Sequence, residues 1–466
     1  MIQSSKKKLN FIFETANSIH IVFACVVMVI IIRLYLLPGY SYSPDSFDYF
    51  SLSKTFFTGD GFYKINTIRS YLNIENSSAF PLLYPTCLSL VSLLFGENYL
   101  NAAYFNVFLM TLTYIILFKL AILIQNKKPL GAFFSLTLIL FPGYIQEVLS
   151  GRSIPLSLML LSLCILFYSR NKVYLSFFVL GLACISRFDI LPIALFAALY
   201  VSYDKKNITI LITLFFGMLP WIIYSLIYLD SIWASDNSWI ALSSTPAFVT
   251  DFPAAASSTL FSNPLEWIVR VTKNFLKGIF YFGLAGSTNF LLVTLAVYFL
   301  IKKTYLKVTG INYLLLFLIL NAILSPVYLS GYFDIRYFYF AIFIISLFLF
   351  SLEAKNIRNV HIAVLILPTL ALPSWYIFSP FLNFNINISK IEKRYEDIDL
   401  LKSLHSTQMQ TTFFIKDREN SLPVGPMYGA LTGNKIAYKP RNLSEEKLQA
   451  FNELIGPNVD IILDNY

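Results

Sequence analysis

Residues Ala102 to Ile124 read AAYFNVFLMTLTYIILFKLAILI, an apolar run broken by a single charge, Lys119, and closed by Lys127 and Lys128. A helix rises about 1.5 Å per residue, so this run spans the hydrocarbon core of a bilayer, which takes about 20 apolar residues. Lys119 lies about a turn from the end, where its ammonium reaches the interface on its own stem. The run predicts a transmembrane helix, and the rest of the chain repeats the pattern on both sides.

Ahead of it, Lys6, Lys7 and Lys8 precede the apolar run Ile19 to Leu37. No small-residue cleavage site follows, so the run reads as an uncleaved first span rather than a removed signal. Behind it come runs at about Pro129 to Gln146, Ile154 to Ser169, Val173 to Ile185, Ile190 to Tyr203, Ile208 to Tyr228, Phe275 to Ile301, Ile311 to Ser330, Tyr337 to Leu352 and Val360 to Phe378. The expected fold is therefore an α-helical polytopic membrane protein with about eleven transmembrane helices over residues 1–378. Two polar connections are too long for turns, about 38–101 and 229–274. The first contains an apolar piece, Phe80 to Gly96, expected to lie at the membrane surface.

The composition agrees: hydrophobic residues make up 57% and charged residues 13%, against about a quarter charged in an ordinary soluble domain. Residues 379–466 differ, with 10 Lys/Arg and 11 Asp/Glu, whereas the preceding part holds 25 and 15. The excess of positive charge thus belongs to the membrane part. It sits in short loops and does not imply nucleic-acid binding. The basic clusters Lys6 to Lys8, Lys127/Lys128, Arg170/Lys172, Lys205/Lys206, Lys302/Lys303/Lys307 and Lys355/Arg358 fall at every second span boundary. By the positive-inside rule the N-terminus is cytoplasmic, and both long loops and the C-terminal part face the outside of the plasma (inner) membrane.

The C-terminal part alternates helix and strand patterns. A charged helix is expected near Ile391 to Leu404 and strands at Thr412 to Ile415 and Lys435 to Tyr438. A helix opened by Ser444 and a strand at Val459 to Leu463 follow. Residues 379–466 are therefore expected to form a small extracytoplasmic α/β domain.

Few residues in this frame invite chemistry. Ser43-Pro44-Asp45-Ser46-Phe47-Asp48 follows the first span and places Asp45 and Asp48 at the outer membrane surface. Ser43 as cap, Pro44 in the first turn and Asp45 beside it also make an ordinary helix start. Arg270, Lys273 and Lys277 fall on one helical stripe suited to a phosphate, or to lipid head groups. Ser186-Arg187-Phe188-Asp189 joins two spans with almost no loop, and Asp189 is too close in sequence to share a helical face with Arg187. Arg336 follows Asp334 at an outer span end, and Arg152 with Glu147 occupies a short outer loop. These outer cations make an anionic lipid head group a common ligand. His20, His361 and His405 are too scattered to build a metal site, and neither a nucleophile triad nor a phosphate-binding glycine loop occurs. Cys25, Cys87, Cys164 and Cys184 read as small hydrophobes.

In order along the chain, Pro44-Asp45-Ser46-Phe47-Asp48-Tyr49, Gly59-Asp60-Gly61-Phe62, Phe80-Pro81-Leu82-Leu83-Tyr84-Pro85, Ser186-Arg187, Leu219-Pro220-Trp221, Asn263-Pro264-Leu265-Glu266 and Arg336-Tyr337 resemble the GT-C superfamily of membrane glycosyltransferases. The likeness is to the bacterial branch similar to protein O-mannosyltransferases and lipid A sugar transferases. The resemblance implies a polyprenyl-phosphate-linked sugar as donor, a lipid, glycan or protein acceptor, and a catalytic base at or beside Asp45. Phosphate-binding cations would come from Arg187, Arg270, Lys273 and Arg336. It implies no cofactor and leaves room for a divalent cation. This chain has Ser46 where many relatives carry Glu, and Arg152-Ser153-Ile154-Pro155 where they carry an acidic residue before that proline. Two other functions compete: a surface-polysaccharide polymerase or ligase, and a lipid or solute transporter. A soluble C-terminal domain disfavours the first. The second calls for midplane polar residues and paired halves, which the sequence does not display.

Overall fold

The computed structural model describes residues 18–32, 34–35, 44–58, 80–98, 100–125, 135–136, 138–139, 142–228, a few positions within 264–272, and 413–415, 436–438 and 461–463. Its helices are α1 (Ser18–Ile32), α2 (Pro44–Thr58), α3 (Leu83–Phe95), α4 (Asn101–Gln125), α5 (Pro142–Leu149), α6 (Ile154–Ser169), α7 (Val173–Cys184), α8 (Leu191–Asp204) and α9 (Thr209–Tyr228). A 3-10 turn, Phe188–Ile190, separates α7 from α8. Two of them are long and apolar enough to cross a membrane: α4 over Asn101–Leu123, with mean hydropathy 2.0, and α9 over Thr209–Tyr228, with mean hydropathy 2.2. The spans expected after residue 228 lie outside the described residues, as do 59–79 in the first long loop and most of the second.

Apolar sequence makes these helices, but polar residues end them. At the α6–α7 connection the Arg170 and Lys172 amides close on carbonyls of the last turn of α6. Asn171 between them takes φ 58, a left-handed conformation that its short amide tolerates. The α8–α9 connection repeats this with Lys206 at φ 48, and Asn207 then caps α9, its Oδ1 accepting from the Thr209 amide at 3.0 Å.

Helix register follows from a few contacts. Ser157 near the start of α6 meets Ser186, just past α7, at 2.7 Å, and the Ser176 hydroxyl on α7 donates to the Cys164 carbonyl on α6 at 2.8 Å, so α6 and α7 are antiparallel. Asn207 donates to the Tyr174 hydroxyl at 2.8 Å, bringing the start of α9 to the start of α7. Further along, Gly181 and Gly217 bring α7 and α9 together: a Cβ on Gly181 would stand 2.9 Å from the Gly217 Cα, and one on Gly217 3.0 Å from the Gly181 Cα. Only hydrogen fits there, and close backbone approach of this kind lets apolar helices associate through dispersion. α7 packs most extensively on α9 and α6, and α6 also packs on α4.

The basic turns at Arg170–Lys172 and Lys205–Lys206 therefore share one end of this helix cluster. The turn Ser150–Ser153 and the segment Ile185–Asp189 share the other. α9 leaves Ile212, Phe216, Ile223 and Ile227 exposed along its length. Such a stripe is costly in water and stable against hydrocarbon.

Three short strands lie near the C-terminus: β1 (Phe413–Ile415), β2 (Ile436–Tyr438) and β3 (Ile461–Leu463). They pair in parallel in the order β2-β1-β3, with Phe413 opposite both Ile436 and Ile461. Parallel neighbours need crossover connections, and the intervening segments lie outside the described residues.

Candidate functional site

The end of the cluster away from the basic turns is held by buried hydrogen bonds around the turn that follows α5. α5 runs three residues beyond the span end expected at Gln146, so Glu147 sits in its last turn rather than in a loop. Gly151 then takes φ 69 and turns the chain toward α6. This turn is bonded from three sides. From α2, the Ser46 hydroxyl donates to the Ser150 carbonyl, and the Tyr49 hydroxyl meets the Ser153 hydroxyl at 2.9 Å. From α3, the Tyr84 hydroxyl shares its one proton between the Gly151 carbonyl at 2.9 Å and Asn106 Oδ1 at 3.0 Å. From α4, Asn106 Nδ2 donates to the Arg152 carbonyl at 2.9 Å.

The first turn of α2, which carries Asp45, is in this way seated on the α5–α6 turn. Asp45 is half-buried and falls one residue before the Ser46 anchor. Asp48 lies a turn further along the same helix, and its side chain is outside the described residues. The helix start expected from Ser43-Pro44-Asp45 forms at Pro44 with Asp45 in its first turn, so the capping role and the chemical role place the carboxylate alike.

Arg187 belongs to the same end. Its neighbour Ser186 bonds Ser157, whose amide and hydroxyl both go to the Ser153 carbonyl, and Ser153 meets Tyr49 of α2. A chain of hydroxyl contacts thus runs from the Asp45 helix to the residue before Arg187. The backbone at Arg187 is extended, φ −155 and ψ 122, not helical. Alternate residues then reach a common side. Arg187 grips Asp189 with two nitrogens, Nε at 3.0 Å from Oδ1 and Nη2 at 2.9 Å from Oδ2. The sequence separation that forbids a shared helical face does not keep the pair apart. Its side chains are 13% and 8% exposed, so the Arg187 charge is matched within the fold. Arg270, Lys273 and Arg336 lie outside the described residues.

Arg152 and Glu147 form a second pair, with Nη1 2.7 Å from Oε1 and side chains 19% and 3% exposed. Among the described residues no group of three His, Cys, Asp or Glu side chains could hold a metal ion. Sequence reasoning missed the hydroxyl network and Asn106. The legible signal was an amide inside the apolar run 102–124, since a polar side chain there needs a partner. Which residue supplies it cannot be read from periodicity.

Compared with known proteins, the chain matches no family, no curated protein and no solved structure.

Proposed function

We propose that this protein is an inverting membrane glycosyltransferase that moves a sugar from a polyprenyl-phosphate donor to an acceptor hydroxyl at the outer face. One observation carries the reading: the helix start bearing Asp45 is bonded through Ser46 and Tyr49 into the turn that also leads, through Ser157 and Ser186, to Arg187. This agrees with the GT-C resemblance, in which an acidic residue after the first span works at an outer membrane surface. The basic turns at the opposite end fit a cytoplasmic location, which supports an extracytoplasmic placement of that surface. The further spans, and an α/β domain built on the strands near 413, 436 and 461, complete the proposed architecture.

In the proposed reaction Asp45 takes the proton of the acceptor hydroxyl as its oxygen bonds to the anomeric carbon. The bond from that carbon to the phosphate oxygen breaks, and the lipid phosphate leaves with the electron pair. Phosphate is a good leaving group, so one base suffices where glycoside hydrolysis uses two carboxyl groups. Arg270, Lys273 and Arg336 are the proposed cations for the departing phosphate. Arg187, matched by Asp189, is better suited to fixing the turn than to meeting the full charge of a ligand.

Asp45→Asn tests this. The amide keeps the shape but cannot accept the proton, so turnover of a polyprenyl-phosphate sugar by the purified, folded variant is expected to fall about 100-fold or more. A helix-start role alone would cost about 0.3–1 kcal/mol of stability and leave turnover standing. Near-normal turnover removes Asp45 as the base.

A further inference from the structure

The turn after α5 is saturated with hydrogen bonds at every carbonyl that reaches the network. Those of Glu147, Val148, Ser150, Gly151, Arg152 and Ser153 each accept from a neighbour. One acceptor is left over. Glu147 is 2% exposed, its Oε1 takes Arg152 Nη1 at 2.7 Å, and its Oε2 is buried with no hydrogen-bond partner among the described residues. Leaving a buried acceptor unmet costs about 1–3 kcal/mol, more if it is charged. Among the described residues the turn satisfies the acceptors named and not this one, which leaves the oxygen open to a donor from beyond them.

The chemistry of that donor is constrained by the neighbours. A metal cation would meet the Arg152 guanidinium beside the carboxylate, and an anion would meet the carboxylate itself. A neutral hydroxyl meets neither objection and supplies the one missing proton donor. On the transferase reading above, we infer that Glu147 Oε2 receives a hydroxyl of the sugar being transferred, with Arg152 holding the carboxylate in place. Glu147 is then a specificity-determining residue rather than a catalytic one. It stands on the turn that seats the Asp45 helix, through the Ser46 contact with Ser150, so sugar recognition and the proposed base share one support.

The test is equilibrium binding to the purified full-length protein in detergent, using a panel of polyprenyl-phosphate hexoses and pentoses with sugar-free polyprenyl phosphate as reference. The wild type is expected to bind one sugar-bearing lipid at least about tenfold tighter than the reference. Glu147→Gln, which keeps an oxygen for Arg152 but turns an amide NH2 to the other side, is expected to lose most of that preference while binding the reference as before. A single charge-assisted hydrogen bond accounts for an effect of about tenfold to a hundredfold. Monodeoxy sugars on the unmodified protein give a readout free of folding effects. Removing one particular hydroxyl should weaken wild-type binding as much as Glu147→Gln does, and should cost nothing further in the variant. A variant that keeps the wild-type sugar preference, or a wild type indifferent to every deoxygenation, overturns the inference and leaves the transferase reading intact. A wild type that binds no sugar-bearing lipid better than the reference removes both.

Discussion

Tyr84 and Asn106 offer the sharpest test of how the turn after α5 is held. Both are fully buried. The single Tyr84 hydroxyl proton is shared between the Gly151 carbonyl and Asn106 Oδ1, and Asn106 Nδ2 is the donor for the Arg152 carbonyl. Its reach to the Glu147 and Val148 carbonyls, at 3.4 and 3.5 Å, adds little. Tyr84→Phe removes the one proton shared between the Gly151 carbonyl and Asn106 Oδ1, and Asn106→Leu removes the amide donor to the Arg152 carbonyl. Each is expected to cost about 1–3 kcal/mol, the penalty for a buried polar group left unpaired. In the double variant the Asn106 oxygen orphaned by Tyr84→Phe no longer exists. The two losses should therefore sum to less than additive, by about 0.5 kcal/mol or more. Unfolding of the four purified proteins by titration with SDS in mixed micelles gives all three differences. A Tyr84→Phe cost below about 0.5 kcal/mol, the range of an idle surface change, or strict additivity of the pair, would refute the network as the force that seats α2.

Two further outcomes follow from the packing. Gly217→Ala should lower stability by about 1–3 kcal/mol in the same titration, because its new methyl meets the Phe178 carbonyl oxygen and the Gly181 Cα, both backbone, and α7 and α9 must separate; an unchanged unfolding midpoint would show that the helices do not cross there. Burial pushes the Cys87 thiol on α3 from 9.0 up to about 11, so its alkylation by iodoacetamide at pH 7 should be slow and should keep rising past pH 9. Its burial favours folding below pH 9, where the thiol is neutral in both states, and that contribution is lost as pH climbs toward 11 because only the unfolded state ionises first. A rate that levels off near pH 9 would place Cys87 in water.

Hydrophobicity and length were sufficient to find α4, α6, α7 and α9 within a few residues, because a polar group in an apolar run is expensive and the boundary of the run is the boundary of the helix. Ser43-Pro44-Asp45 marked the start of α2 equally well, since caps and first-turn residues act within four residues of sequence. Short strands fall where β-branched and aromatic residues cluster, at 413–415, 436–438 and 461–463. Residue types alone could name Asp45, Arg187 and Arg152 as candidates, but not their partners. Arg187 was legible as a cation between two apolar runs, while its neutralisation by Asp189 depends on an extended backbone at one residue, which helical periodicity does not describe. Nor could any spacing pair Tyr49 with Ser153, Tyr84 with Gly151 or Gly181 with Gly217. The first two contacts join residues 104 and 67 apart in the chain, and the third rests on the absence of a side chain. Sequence decides which segments prefer hydrocarbon, because that preference is a property of each side chain and its near neighbours. Tertiary structure decides which polar groups meet, and so leaves one oxygen of Glu147 without a partner among the described residues, because hydrogen bonding is set by position and direction to within a few tenths of an ångström.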